Sequence, residues 1–326
     1  MVKASHPDVI ATEDPAAKLA GLRYKFSDFD GVEVGPLGHL SEERSRLNKL
    51  KWENFDASMI GATVGAEIDG IDVSNGLSEE VLAELHQALI EYKVIFLRNQ
   101  KITPAQQVSF AESFGELEIH PFIPSNTEHP KLVRFEKGAD VGGYENSWHH
   151  DVTWRKAPSK IAVLRAISVP STGGDTMFSD MYAAYEGLDD SVKSEIENLV
   201  AVHDFSLSFG PQVPEEKRLE MREKYPLVEH PVVGVHPETG KKYLFVNRIF
   251  VNYFKGLTRE ESLPLINSLS RQAEFPEYQC RFRWSDDSIA VWDNRSVQHY
   301  ALSDYWPDVR VMERASVIGE PPNNCL

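Results

Sequence analysis

The chain has 326 residues, 41% hydrophobic and 26% charged, enough to bury one large core or two modest ones in a soluble globular protein. Its formal net charge of -16 repels phosphate backbones and anionic lipid, which argues against nucleic acid and membrane as partners but leaves room for a local basic pocket that takes a small anion. Two cysteines (Cys280 and Cys325) without a CxxC, no apolar run of membrane-spanning length and a charged, proline-bearing N-terminus in place of a signal peptide predict a cytoplasmic protein with free thiols.

Residues 1–55 read as an N-terminal extension, turn-rich around "SDFDGVEVGPLGH" and then strongly charged, an arm that covers the domain or a subunit contact. The single domain follows over 56–326. "MIGATVGAEIDGIDVSN" predicts two glycine-punctuated strands. "SEEVLAELHQALIEYK" carries a helical apolar stripe at Val81, Leu82, Leu85, Leu89 and Ile90, and "VIFLRNQ" is a buried strand. Thr103, Pro104 and Gln106 announce a capped helix start, with Gly115 as its stop. From Ile161 onward the chain is predominantly β: "IAVLRAISV", "DTMFSD", "KYLFVN", "SIAVWDN" and "VRVMERASVI" are separated by Pro, Gly and Asp turns. The polar, proline-bounded stretch 211–231 has the length and composition of a lid. A mainly β barrel or jelly roll with flanking helices fits this order.

The chemistry starts at "SWHHDVTW", residues 147–154. In a strand, positions i and i+2 share a face, so His149 and Asp151 would project together while His150 turns away. An imidazole and a carboxylate are two of the three ligands of a non-haem iron facial triad. By itself the tripeptide is weak, since His6-Pro7-Asp8 has the same pattern, and a structural role serves equally well. His299, after a strong strand and an Asp-Asn turn, is a candidate third ligand or an ordinary hydrogen-bonded histidine. Downstream, Arg310, Met312 and Arg314 alternate onto one face of an apolar strand. Burying two arginines needs anionic partners, either a bound carboxylate or an internal Asp or Glu.

Together these residues resemble the iron(II)/2-oxoglutarate-dependent oxygenases of the taurine dioxygenase family. "WHHDVTW", "GGDTMF", "VWDNRSVQHYA", "FGELEIHP" and "LFVN" carry the likeness, from about Ile60 to Pro321. The resemblance implies a double-stranded β-helix, the cupin-like jelly roll, with Fe(2+) held by His149, Asp151 and His299. It implies 2-oxoglutarate and O2 as cosubstrates, Arg310 and Thr176 on the distal carboxylate, and conversion of 2-oxoglutarate to succinate and CO2 coupled to hydroxylation. It implies an anion subsite of His120 and Arg314 with Phe209 and Phe250 as walls. A homo-oligomer, dimer or tetramer, is implied by the family alone.

Two positions depart from the taurine enzyme: Glu145 replaces an asparagine and Ile123 a tyrosine, both in the pocket that reads the substrate's end group. The substrate expected is therefore a small organic anion (a sulfonate, an alkyl sulfate ester or a carboxylate), with cleavage to an aldehyde plus sulfite or sulfate where the oxidised carbon bears the heteroatom. A hydroxylase or desaturase giving a stable product, and a non-catalytic metal- and anion-binding jelly roll, are the alternatives. A zinc hydrolase built on the same ligands would leave Arg310 without a role.

Overall fold

The computed structural model describes residues 24–25, 33–34, 37–142, 145–210 and 214–323; His6, Asp8 and Cys325 lie outside them. A seven-stranded sheet runs in the order Asp56–Met59, Ala66–Asp69, Val94–Leu97, Ile289–Asp293, Ser159–Ser168, Arg310–Ile318, Val133–Lys137. Its one parallel pair is Ala66–Asp69 with Val94–Leu97. A smaller sheet, Gln279–Phe282, Thr176–Asp180 and Val297–Ala301, lies against it.

The period-2 alternation of strands explains how the two sheets and the helices share one framework. Every residue of "VIFL" is buried because both faces of that strand are covered. Val94 and Phe96 enter the core between the sheets, with Phe178, Phe282, Trp292 and Met312. Ile95 and Leu97 point the other way, onto the helices Glu79–Tyr92 and Pro104–Glu112. The first helix starts where Ser78 accepts from the Val81 N–H and buries Leu85, Ala88, Leu89 and Tyr92. The second begins in a complete Thr103–Gln106 capping box. Between the sheets Phe96 stacks on Phe282 at 4.0 Å, and burial of such a ring stabilises by about 1.5–3 kcal/mol. This two-sheet sandwich with outer helices is a jelly roll of the cupin-like type, as the family resemblance implied where the order of elements left barrel or jelly roll open.

A further three-stranded sheet, Val228–Pro231, Val200–His203 and Val251–Phe254, extends beside a second core built on Met181, Tyr243, Phe245 and Phe254. The helix His39–Leu47 belongs to the stretch read as an arm. It buries Leu40 and Leu47, and its Glu43 pairs with Lys241 at 2.9 Å.

The 211–231 stretch, of which 214–231 is described, divides into the helix Glu215–Lys224 and the strand Val228–Pro231. Its second half is part of the sheet and not a free excursion. His230 is buried there, hydrogen-bonded to the carbonyls of Thr153 (2.8 Å) and Arg155 (2.9 Å). No helix among the described residues is long and apolar enough to cross a membrane.

Candidate active site

His149 does not lie in a regular strand, contrary to the alternation predicted. It forms a single antiparallel bridge with His299, through His149 N–H to the His299 carbonyl (3.2 Å) and the reverse bond (3.0 Å). The chain then leaves the bridge in a turn over Asp151–Trp154. Val152 sits at φ 48°, a left-handed conformation that strains a β-branched residue. Asn294 holds the turn: its Oδ1 accepts from Asp151 N–H (2.7 Å) and its Nδ2 donates to the carbonyls of Asp151 (3.1 Å) and Ser159 (2.8 Å). The two side chains meet because of this clamped turn. His150 is turned away, 4.7 Å from the Phe245 ring, and burial pushes its pKa down to about 3.

Ligand atoms of His149, Asp151 and His299 lie within 4.8 Å of one another. His149 Nε2 is 3.9 Å from Asp151 Oδ1, and His299 Nε2 is 3.8 Å from Asp151 Oδ2. The Ser147 carbonyl lies 2.8 Å from His149 Nδ1 and accepts its proton, so Nε2 is the nitrogen that faces the carboxylate, the orientation of a metal-ligating histidine. Burial holds His299 well below the ordinary histidine range, so that imidazole is neutral. Burial alone would raise the Asp151 pKa, but the Arg314 guanidinium overrides it and keeps the carboxylate ionised. Two imidazoles and one carboxylate converging in a buried pocket are a donor set that fits a divalent first-row metal.

Two cavities meet at this triad. The smaller, about 60 Å³, is bounded by Thr176, Trp292, His299, Arg310 and Arg314 among others. Arg310 is buried there between Trp284 and Tyr305 and makes no ion pair among the described residues. Among the described residues its guanidinium reaches only Thr176 Oγ1, at 3.5 Å, and Trp284 Nε1 donates to that same oxygen at 2.9 Å. Its Nε has no partner, and burial lowers its pKa. Gly174, at φ 68°, is where the "GGDT" turn presses on this arginine, since a Cβ there would come within 3.0 Å of Arg310 Cδ. Of the two explanations open for the arginines, the internal carboxylate holds for Arg314: its Nη1 donates to both Asp151 oxygens, at 2.8 and 2.9 Å. It does not hold for Arg310.

The larger cavity, about 520 Å³, has His120, Glu145, Phe209, Phe250 and Arg314 in its wall, so all five residues expected on the substrate side are together. His120 Nδ1 accepts from the backbone N–H groups of Phe122 (3.2 Å) and Ile123 (3.1 Å), and burial pushes its pKa down to about 3. Glu145 pairs with Lys137 at 3.2 Å where the two cavities join, so its carboxylate already has a cation. The apolar wall is thicker than the sequence foretold: Phe122, Trp154 and Phe205 form an aromatic cluster with Phe209 and Phe250, which Met221 of the helix Glu215–Lys224 and Tyr225 cover. Behind Arg314, Glu118 and Arg155 form a close ion pair.

Sequence reasoning missed Asn294, Lys137 and the Glu118–Arg155 pair. Asn294 stood inside "VWDNRSVQHYA" and Arg155 directly after "WHHDVTW", but nothing in their spacing showed what they grip.

A sequence model of the family described as Taurine catabolism dioxygenase TauD, TfdA family matches residues 56–316. The chain is 39% identical over 266 residues to an alkylsulfatase of Acinetobacter baylyi, covering 79% of this chain and 83% of that one. It is 34% identical over 276 residues to an alpha-ketoglutarate-dependent sulfate ester dioxygenase of Pseudomonas putida, covering 82% of this chain and 91% of that one. The crystal structure of a taurine dioxygenase from Burkholderia xenovorans superposes with a TM-score of 0.71 at 31% identity, over 83% of this chain and 91% of the other. The clamped His-Asp-His turn, the unpaired buried arginine and these likenesses agree, and the chain belongs to the TauD, TfdA family of dioxygenases.

Proposed function

We propose that the protein hydroxylates a small organic anion with an apolar tail, using Fe(2+), O2 and 2-oxoglutarate, and that His149, Asp151 and His299 hold the metal. The bound iron would supply O2 activation coupled to loss of CO2 from 2-oxoglutarate. The chain's own residues then have five tasks. Arg310, with Thr176, binds the distal carboxylate of 2-oxoglutarate and fixes its direction in the smaller cavity. His120 and Arg314 bind the anionic head of the substrate. Phe209, Phe250 and the aromatic cluster around Phe122 hold its tail and exclude water. The helix Glu215–Lys224 covers that cluster. Glu145, neutralised by Lys137, shapes the join of the cavities and does not bind an amine.

The observation that carries this reading is Arg310, a buried guanidinium beside the His-Asp-His group with no carboxylate of its own. A buried cation without an internal partner is costly unless a ligand supplies the anion. Among anions, the size and largely apolar lining of the larger cavity favour an alkyl sulfate ester or sulfonate over taurine, whose amine would meet no free carboxylate there. Oxygen insertion at the carbon bearing the sulfate gives a hemiacetal sulfate, which collapses to an aldehyde and hydrogen sulfate. Succinate formation across a panel of alkyl sulfates, sulfonates and carboxylates tests this. Release of aldehyde and sulfate in equal amounts with succinate supports it, and a panel that stimulates no succinate formation overturns it.

A further inference from the structure

We propose that the head-group subsite carries a single uncompensated positive charge and for that reason selects monoanionic head groups against dianionic ones; this rests on the function proposed above. Monoanions here are sulfate esters, sulfonates and carboxylates. The dianions excluded are phosphate monoesters and phosphonates of the same size and shape.

Every other cation near the subsite has its own carboxylate. Arg155 is paired with Glu118, Lys137 with Glu145, and Arg134 with Glu313 and Glu136. Arg314 is paired with Asp151. A divalent ion held by Asp151 together with a 2-oxoglutarate dianion held by Arg310 is neutral as a group, so Arg314 is then the one cation left for the substrate. A second positive charge would have to come from His120, and the fold prevents it. The Nδ1 lone pair of His120 is already occupied by the N–H groups of Phe122 and Ile123, at 3.2 and 3.1 Å. An imidazolium would place a third N–H against those two donors. His120 is therefore locked as a neutral ring whose Nε2–H serves as a donor on the cavity wall. Its surroundings, Arg314 and Arg155 against Asp151 with Trp154 and Phe209 packed around the ring, do not favour a second charge either. A dianion held by one cation in this largely apolar cavity keeps a buried charge without a partner.

The test uses the full-length protein and a matched pair of probes, octyl sulfate and octyl phosphate. Binding to the enzyme loaded with iron(II) and 2-oxoglutarate under argon is measured at about pH 8, where the phosphate is a dianion, and about pH 5.5, where it is mostly a monoanion. We expect octyl sulfate to bind equally at both, and octyl phosphate to bind at least about tenfold more weakly than the sulfate at the higher pH and to recover much of that loss at the lower. In parallel, the imidazole nitrogens of His120 are followed by NMR in the metal-free protein, assigned with His120→Gln. They should report the neutral Nε2–H form throughout this range. Octyl phosphate binding within about twofold of the sulfate at pH 8, or His120 seen as the Nδ1–H form or the imidazolium, overturns the inference and leaves the proposed function standing. If neither probe binds, this inference falls, and succinate formation across the panel of anions decides the proposed function separately.

Discussion

The two ends of the site are built by different means. At the cosubstrate end, Arg310 and Thr176 lie on strands of the two facing sheets, with the bulky Trp284 hydrogen-bonded to Thr176 and the tight Gly174 turn pressed on the arginine. At the substrate end, His120 lies outside the regular strands, in a turn held by its own ring nitrogen, and the wall is a cluster of aromatics contributed by several separate segments. Their arginines are four residues apart on one strand, yet one is unpaired and the other shares both oxygens of Asp151. On the function proposed here, the first would be a fixed socket for the 2-oxoglutarate carboxylate. The second is a surface whose lining can change without disturbing the sheets, which is how one scaffold can serve different anions.

The sharpest break in this comparison is at the junction. Asp151→Ala should abolish iron-dependent turnover at both ends together, and metal-free Asp151→Asn should retain the fold by circular dichroism while losing iron affinity; measurable turnover by either variant would remove the aspartate from the metal. Next, Arg310→Gln should raise the KM for 2-oxoglutarate by roughly 10- to 150-fold, the cost of about 1.5–3 kcal/mol for a charged hydrogen-bonding group, while the KM for the prime substrate stays within a few-fold. Arg314→Gln should do the reverse, and equal shifts in both constants would erase the distinction between the ends. A smaller effect is expected at Glu145→Gln. It loosens a partly buried pair that lies outside the His-Asp-His group, so succinate formation should change by less than about fivefold.

Acid stability follows from the buried histidines. His120 is held neutral with a pKa of about 3, and burial also lowers His203 and His230. In the unfolded chain each takes up a proton near the ordinary histidine value of about 6.5. Between these limits the unfolded state binds more protons, so the stability contributed is fully present above about pH 6.5 and is lost as pH falls toward 3. Urea unfolding midpoints that rise from pH 5 to 7 would agree; midpoints that fall over that interval would mean the rings are charged in the fold.

Much of the cosubstrate end was legible in the sequence because strand alternation is a simple rule. Arg310, Met312 and Arg314 do face one way, and the capping box at Thr103 and the helix after Ser78 form where local chemistry placed them. The turn at Asp151 was not legible. Alternation predicted a strand, and what brings His149 and Asp151 together is a turn through a strained Val152, clamped at Asp151 by Asn294 from the far end of the chain. The partner of Arg314 was hidden for the same reason, being a carboxylate 163 residues away in sequence. The aromatic cluster was missed because its residues come from segments whose apolar positions looked like ordinary core. The Val228–Pro231 strand was concealed by charge and proline around it, and only pairing with Val200–His203 reveals it.

The most direct test of the central claim, that the His149–Asp151–His299 group and Arg310 form one socket for iron and 2-oxoglutarate, is an anaerobic titration of the metal-free protein with both. A weak visible charge-transfer band should appear, saturate at one equivalent of each, be absent in Asp151→Ala, and need far more 2-oxoglutarate in Arg310→Gln. A folded, iron-bound protein that shows no band at saturating 2-oxoglutarate, or a band unaffected by the Arg310 substitution, would contradict it.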